Sequence, residues 1–323
     1  MKTGLSLALV LAAAPAFSET AAGISHLRDA SDAARPLSLS IWYPTPDAPS
    51  ATVAGNPAFE GVEAAPDGSF AADALPLVVL SHGGLRSAAD SGAWLSGDIA
   101  RAGFVVVEVN APRPATAGSA LDEIWQRPRD IRRAIDLVLT DPTWGPRIDA
   151  GSVSVAGFAL GATAALSLGG AKLDTARYLQ TCETGSPSEA PDCGWFAAQG
   201  IDLSATNPEE LAALAPDARV RAVIAVNPEY PASLGTTSAG VDTLSLSLGQ
   251  ADAAGGAEQA GTSILLPEAS AFDAFATCTP AGPDILAEDD GDASLCGTSS
   301  EARRAVHAKI TEAVVSFLKE ATE

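Results

Sequence analysis

Histidine is scarce in this chain: 323 residues contain three, His26, His82 and His307. Any chemistry that needs an imidazole base must draw on one of them. Basic charge is also short. Nineteen Lys and Arg stand against forty Asp and Glu, for a formal charge of −21. Such a surface repels nucleic acid and anionic lipid. Long apolar runs are confined to the N-terminus, and no later run reaches the length of a membrane span. None of the four cysteines sits in a C-x-x-C pair or near a histidine, so nothing points to a metal site. The most informative absence is a single oxygen. "VSVAGFALGA" (153–162) reads as a buried strand turning sharply into a helix, the form of a G-x-S-x-G nucleophile elbow. At its centre stands Ala159.

What is present is a globular composition, with 47% hydrophobic and 18% charged residues. The first stretch, "MKTGLSLALVLAAAPAFSET", has Lys2, an apolar run from Leu5 to Ala14 and small residues at Ala16 and Ser18. It reads as an export signal, residues 1–18, cut after Ala16 or Ser18. Loss of Lys2 with that leader would take the formal charge from −21 to −22. A periplasmic or secreted location follows. The cysteines agree with it. Cys182, Cys193, Cys278 and Cys296 fall as two local pairs in loop-like sequence. Four cysteines allow three pairings. The local one is simplest, and in an oxidising compartment each bridge would add roughly 3 kcal/mol.

Strand and helix patterns alternate. "LSLSIWYP" alternates apolar with polar residues, as a strand wetted on one side would. "LPLVVLS", "FVVVEVN", "SVSVAG", "VRAVIAV" and "TLSLSLG" read as further strands; the continuous apolar runs suit burial on both faces. "ADSGAWLSGDIARAG", "RPRDIRRAIDLVLTDP", "ATAALSLGGA" and "SSEARRAVHAKITEAVVSFLKEA" read as helices, the first stopping at Gly103 and the last starting near serine. This order predicts a single α/β domain over 19–323, with a mostly parallel, doubly wound sheet. Residues 172–216 interrupt it. They carry Cys182, Cys193, Trp195 and Phe196, and read either as a disulfide-tied, lid-like insertion above the carboxyl ends of the strands or as a long surface loop.

Several pieces fall where an acyl-transfer site would need them. The Leu160 N–H opens the helix after the elbow and could stabilise an oxyanion. "LSHGG" follows a buried strand, and its turn could supply a second N–H from Gly84 or Leu85. "SLGQAD" places Asp252 after a late strand, where a triad acid belongs. The loop before the last helix should then carry a histidine, but it reads "PEASAFDAFATC".

Together these pieces resemble an α/β-hydrolase of the dienelactone hydrolase-like group, which includes bacterial relatives of platelet-activating-factor acetylhydrolase. The W-x-R-P-x-D piece in "WQRPRDIRRAIDLVL" and the D-x-R-[IV] piece in "DARVRAVIAVNP" are the more specific matches. The resemblance implies a Ser-His-Asp triad at positions 159, 271 and 252, and no cofactor. Here two of the three places hold Ala159 and Ala271, and Ala162 replaces a usual glycine. It also implies that His82 braces the oxyanion loop. Without serine nothing can be acylated, and without histidine nothing activates a hydroxyl. The expected function is a pseudohydrolase that binds a small acyl or ester-like ligand, or a partner protein, in the old cleft. The alternative is an active carboxylic-ester or phospholipid-ester hydrolase working through a shifted residue set.

Overall fold

The structure, a computed structural model, describes residues 20–85, 87–184, 190–249, 261–288 and 293–322. The leader 1–18 and Asp252 lie outside the described residues. Ten strands among them form a sheet: β1 (Ala21–Asp29), β2 (Leu37–Thr45), β3 (Ala51–Val53), β4 (Val62–Pro66), β5 (Leu75–Ser81), β6 (Val105–Asn110), β7 (Ile148–Phe158), β8 (Val220–Val226), β9 (Asp242–Leu248) and β10 (Thr262–Leu266). Their spatial order is β10-β9-β8-β7-β5-β6-β2-β1-β4-β3. From β10 to β6 the pairing is parallel, and β2 joins β6 and β1 antiparallel.

The apolar runs bury both faces, as expected. Leu77 and Val79 of β5 face one core, with Ile131, Ile135 and Leu166. Val78 and Leu80 face the other, with Leu95, Ile99 and Ile310. Helices Glu123–Thr140 and Leu160–Leu168 therefore cover one side, and Ala93–Arg101 and Ser300–Ala321 the other. The closing helix starts as predicted: the Ser299 side chain accepts from the Ala302 N–H at 3.1 Å.

Three expectations need correction. β2 is not wetted on one side. Leu39, Ile41 and Tyr43 face the first core while Trp42 faces the second. Its polar Ser40 is only 2% exposed and donates to Asp90 Oδ1 at 2.6 Å, so a hydrogen bond stands in for water. The second long helix begins at Glu123 and keeps Pro128 inside, although the reading started it at the R-P pair. Pro128 comes early enough to forfeit a single backbone bond. Strands β1, β3, β4 and β10 were not anticipated. β3 and β10 are edge strands and β4 is short, whereas β1 is a nine-residue interior strand between β2 and β4; their partners, not their own patterns, define them.

Both disulfides pair locally: Cys182–Cys193 and Cys278–Cys296. Between helix Leu160–Leu168 and β8 the chain forms short helices Thr175–Leu179, Cys193–Ala198 and Pro208–Ala212. Their Tyr178, Phe196 and Leu211 join the first core beside Tyr230 and Leu234.

Candidate active site

β7 lies between β5 and β8, and the chain turns into a helix directly at its carboxyl end. Ala159 makes that turn with φ 53° and ψ −123°. A side chain with a Cβ rarely takes such a conformation, and holding it there costs about 1–3 kcal/mol. The flanking glycines are required sterically. A Cβ on Gly157 would come within 2.2 Å of the Gly161 carbonyl group, and one on Gly161 within 1.9 Å of the Ser81 carbonyl oxygen. The turn is sewn to its neighbours. Ala159 N–H donates to the Val226 carbonyl at 3.0 Å, and its own carbonyl accepts from Ala162 N–H at 3.0 Å. Ala162 is fully buried in the first core.

The "SHGG" turn follows β5, next to β7. The W-x-R-P-x-D piece holds it from beneath. Arg127 donates to the Gly83 carbonyl at 2.7 Å, the Gly84 carbonyl at 2.8 Å and the His82 carbonyl at 3.4 Å. Buried Glu123 accepts from Arg127 at 3.2 Å and from Arg35 at 2.8 Å. Asp130 accepts from Arg35 at 2.8 Å. Both carboxylates of this patch are thus met by guanidinium groups, which is what their burial demands. Leu85 is buried and packs in the same core as Leu160.

His82 ties this turn to the loop that carries Ala271. Its Nε2–H donates to the Ala274 carbonyl at 2.9 Å, and Trp94 Nε1–H donates to the same oxygen at 3.0 Å. His307 stacks on Trp94 with centroids 3.7 Å apart, and its Nε2 meets the Asp273 and Phe275 carbonyls at 2.9 and 3.0 Å. Burial pushes both imidazoles down to about 4, so both are neutral. Exposed Ala271 opens the one-turn helix Ala271–Ala274 that these rings hold. His82 also packs on Phe158, the residue before Ala159, with centroids 4.7 Å apart.

The partners of His82 and His307 among the described residues are therefore main-chain carbonyls, not hydroxyls. Among the described residues, His26 alone has a serine hydroxyl within hydrogen-bond range: its Nδ1 is 3.4 Å from Ser40 Oγ. That hydroxyl is committed to Asp90, and its burial denies a substrate any approach. A 900 Å³ hollow lies under the short helices at Ala171–Arg177, and a 500 Å³ hollow along Arg113, Trp125 and Arg129. Neither is lined by Ala159, Leu160 or Ala271.

Sequence reasoning missed Glu229. It follows β8 in "NPEYP", between Asn227 and Tyr230, both at positive φ (45° and 56°). Its main chain is pinned to the elbow: N–H to the Ala159 carbonyl at 3.4 Å, and carbonyl from Thr163 Oγ1 at 2.6 Å. The side chain is 5% exposed. Its Oε1 lies 3.1 Å from where a Cβ on Gly84 would stand, and the Leu160 N–H favours its charged form. Burial, then Asp192, push the carboxyl up to about 8 despite Arg127.

No family model matches the chain, and no curated protein does. A solved ferulic acid esterase from Streptomyces cinnamoneus matches it with a TM-score of 0.56 over 95% of this chain and 92% of that one, at 19% identity. The fold is that of the α/β-hydrolases. Within that hydrolase fold, the elbow after the central strand, the braced glycine turn and the loop at Ala271 all occupy one end of the sheet. Chemically, the site holds backbone donors and a buried carboxyl. Its elbow carries the methyl group of Ala159.

Proposed function

We propose that this is an exported, catalytically silent α/β-hydrolase-fold protein that binds a small acyl or ester-like ligand at the elbow, beneath a lid formed by residues 172–216. The observation that carries the reading is Ala159. It keeps the costly elbow conformation, and the two glycines that permit it, without the oxygen that the conformation serves to present. Two further features support it. Each histidine that could have replaced the missing base is bonded to carbonyls or faces a sequestered serine. The Arg127 brace still holds the glycine turn in place. Two disulfides agree with an oxidising compartment.

Loss of either nucleophile or base costs about a millionfold in turnover, and loss of both little more. Purified protein should therefore hydrolyse p-nitrophenyl acetate no faster than a thermally unfolded control. Turnover well above that control, abolished by a serine-directed inhibitor, would defeat the proposal. For binding, short acyl esters and acids are screened by thermal shift. A ligand at about 100 times its dissociation constant adds about 2.7 kcal/mol.

A further inference from the structure

The acyl-binding end of the cleft contains a group that no catalytic scheme uses. Glu229 sits between two segments whose N–H groups would face an oxyanion: the Gly84–Leu85 turn and the first residue of the elbow helix, Leu160. Two left-handed residues, Asn227 and Tyr230, fold its segment back toward the elbow. For Tyr230 that backbone state is uncommon, and it persists only where the surroundings enforce it. Asn227 shows the enforcement: its Oδ1 accepts from the Leu248 N–H at 2.6 Å, which locks the segment to β9. The Thr163 and Ala159 contacts fix the other side. The carboxyl then points at the Leu160 N–H and abuts Gly84. Its Oε2 is buried and has no hydrogen-bond partner among the described residues. A buried carboxyl oxygen without a partner costs about 1–3 kcal/mol.

We propose that Glu229 is the internal occupant of the oxyanion region, a specificity-determining side chain whose carboxyl takes the place of an acyl oxygen and must be displaced by any acyl ligand. This rests on the silent-hydrolase reading, because it assumes that the elbow and the glycine turn are the remains of an oxyanion site. The charged and titratable groups around Glu229 are Arg127 beneath the turn, Asp192 from the short helices, and Tyr178 and Tyr230. Glycine at position 84 leaves room for the carboxyl; a Cβ there would stand 3.1 Å from its Oε1, a tight contact.

Two measurements test the proposal separately from the reading beneath it. The first follows the Leu160 amide in 15N-leucine-labelled protein, assigned with Leu160→Ile. Its resonance should titrate with a midpoint near 8, and the titration should vanish in Glu229→Gln, which keeps the shape of the side chain. A Leu160 amide indifferent to both pH and Glu229→Gln overturns the occupancy, whatever the activity data say. The second uses Ala159→Ser with Ala271→His, with and without Glu229→Ala, assayed on p-nitrophenyl acetate. Freeing one oxyanion donor should raise kcat/KM about a hundredfold or more. Equal, measurable turnover by the two rebuilt proteins would refute the occupancy and leave the silent-hydrolase reading standing. If both rebuilt proteins are inert, that counts against the old site being recoverable. The Leu160 titration then decides the role of Glu229 alone.

Discussion

Replacing Ala159 by glycine should stabilise the protein, against the usual effect of glycine inside a helix or strand. The argument begins with φ 53° and ψ −123°. Holding an alanine there costs about 1–3 kcal/mol, and glycine adopts the same angles without steric penalty. Against this, glycine frees the unfolded chain by about 0.5–1 kcal/mol. The half-buried methyl gives up part of the roughly 0.8 kcal/mol that a fully buried carbon contributes. The balance favours Ala159→Gly by about 1 kcal/mol. Equilibrium urea unfolding with the disulfides oxidised measures it, as a higher midpoint at unchanged slope. Ala159→Val should move the midpoint the other way, because a β-branched side chain tolerates positive φ least. If Ala159→Gly instead lost 0.5–1 kcal/mol, the figure for glycine at an unstrained helix-interior position, the claim that this turn retains a nucleophile's geometry would fail.

Arg127→Ala should destabilise by about 1–3 kcal/mol, because it leaves three carbonyls unheld while Glu123 keeps its pairing with Arg35; Arg127→Lys should recover little, since one ammonium cannot span them. Stability should also follow a distinctive pH profile. His82 and His307, held down to about 4 by burial from an ordinary 6.5, remove stability as pH falls from 6.5 toward 4. Glu108 and Glu229, pushed up to about 8 by burial from 4.5, remove it as pH rises from 4.5 toward 8. For these four groups the slopes offset between 4.5 and 6.5, and between 6.5 and 8 the loss is about 4 kcal/mol. Urea melts across that range test this, and Glu108→Gln should remove about half of the alkaline fall; a flat alkaline limb in the wild type would show that the two carboxyls are not held neutral. Replacing Cys278 and Cys296 together by serine should cost about 3 kcal/mol, the closure entropy of a loop whose ends are 18 residues apart, read as a lower melting midpoint.

Much of the molecule was readable before any coordinates. The runs Leu77–Leu80 and Val105–Val107 are apolar without alternation, and only a sheet covered on both faces can use them. Glycines 157 and 161 marked the elbow because local sterics at a strand-to-helix turn leave no room for a Cβ. The local cysteine pairs closed their own loops. "LSLSIWYP" misled because periodicity reports polarity and not burial: Ser40 finds Asp90, fifty residues away, and so can sit inside.

The rest depended on distance along the chain. That Arg127 would grasp the carbonyls of a turn more than forty residues earlier is not encoded in any local pattern, although "WQRPRD" stood out as a motif. Asp252 lies outside the described residues, so its place relative to Ala159 and Ala271 stays a proposal. The sequence alone determined the alternation of the central strands and the long helices, and the sharp glycine-flanked turn with alanine at its centre, because these follow from local periodicity and nearest-neighbour sterics. Only the tertiary structure decided that His82 and His307 hold a loop instead of a proton, and that Glu229 turns into the elbow. Those outcomes depend on which buried donors and acceptors meet across the end of the sheet, and that pairing exists only once the strands are assembled.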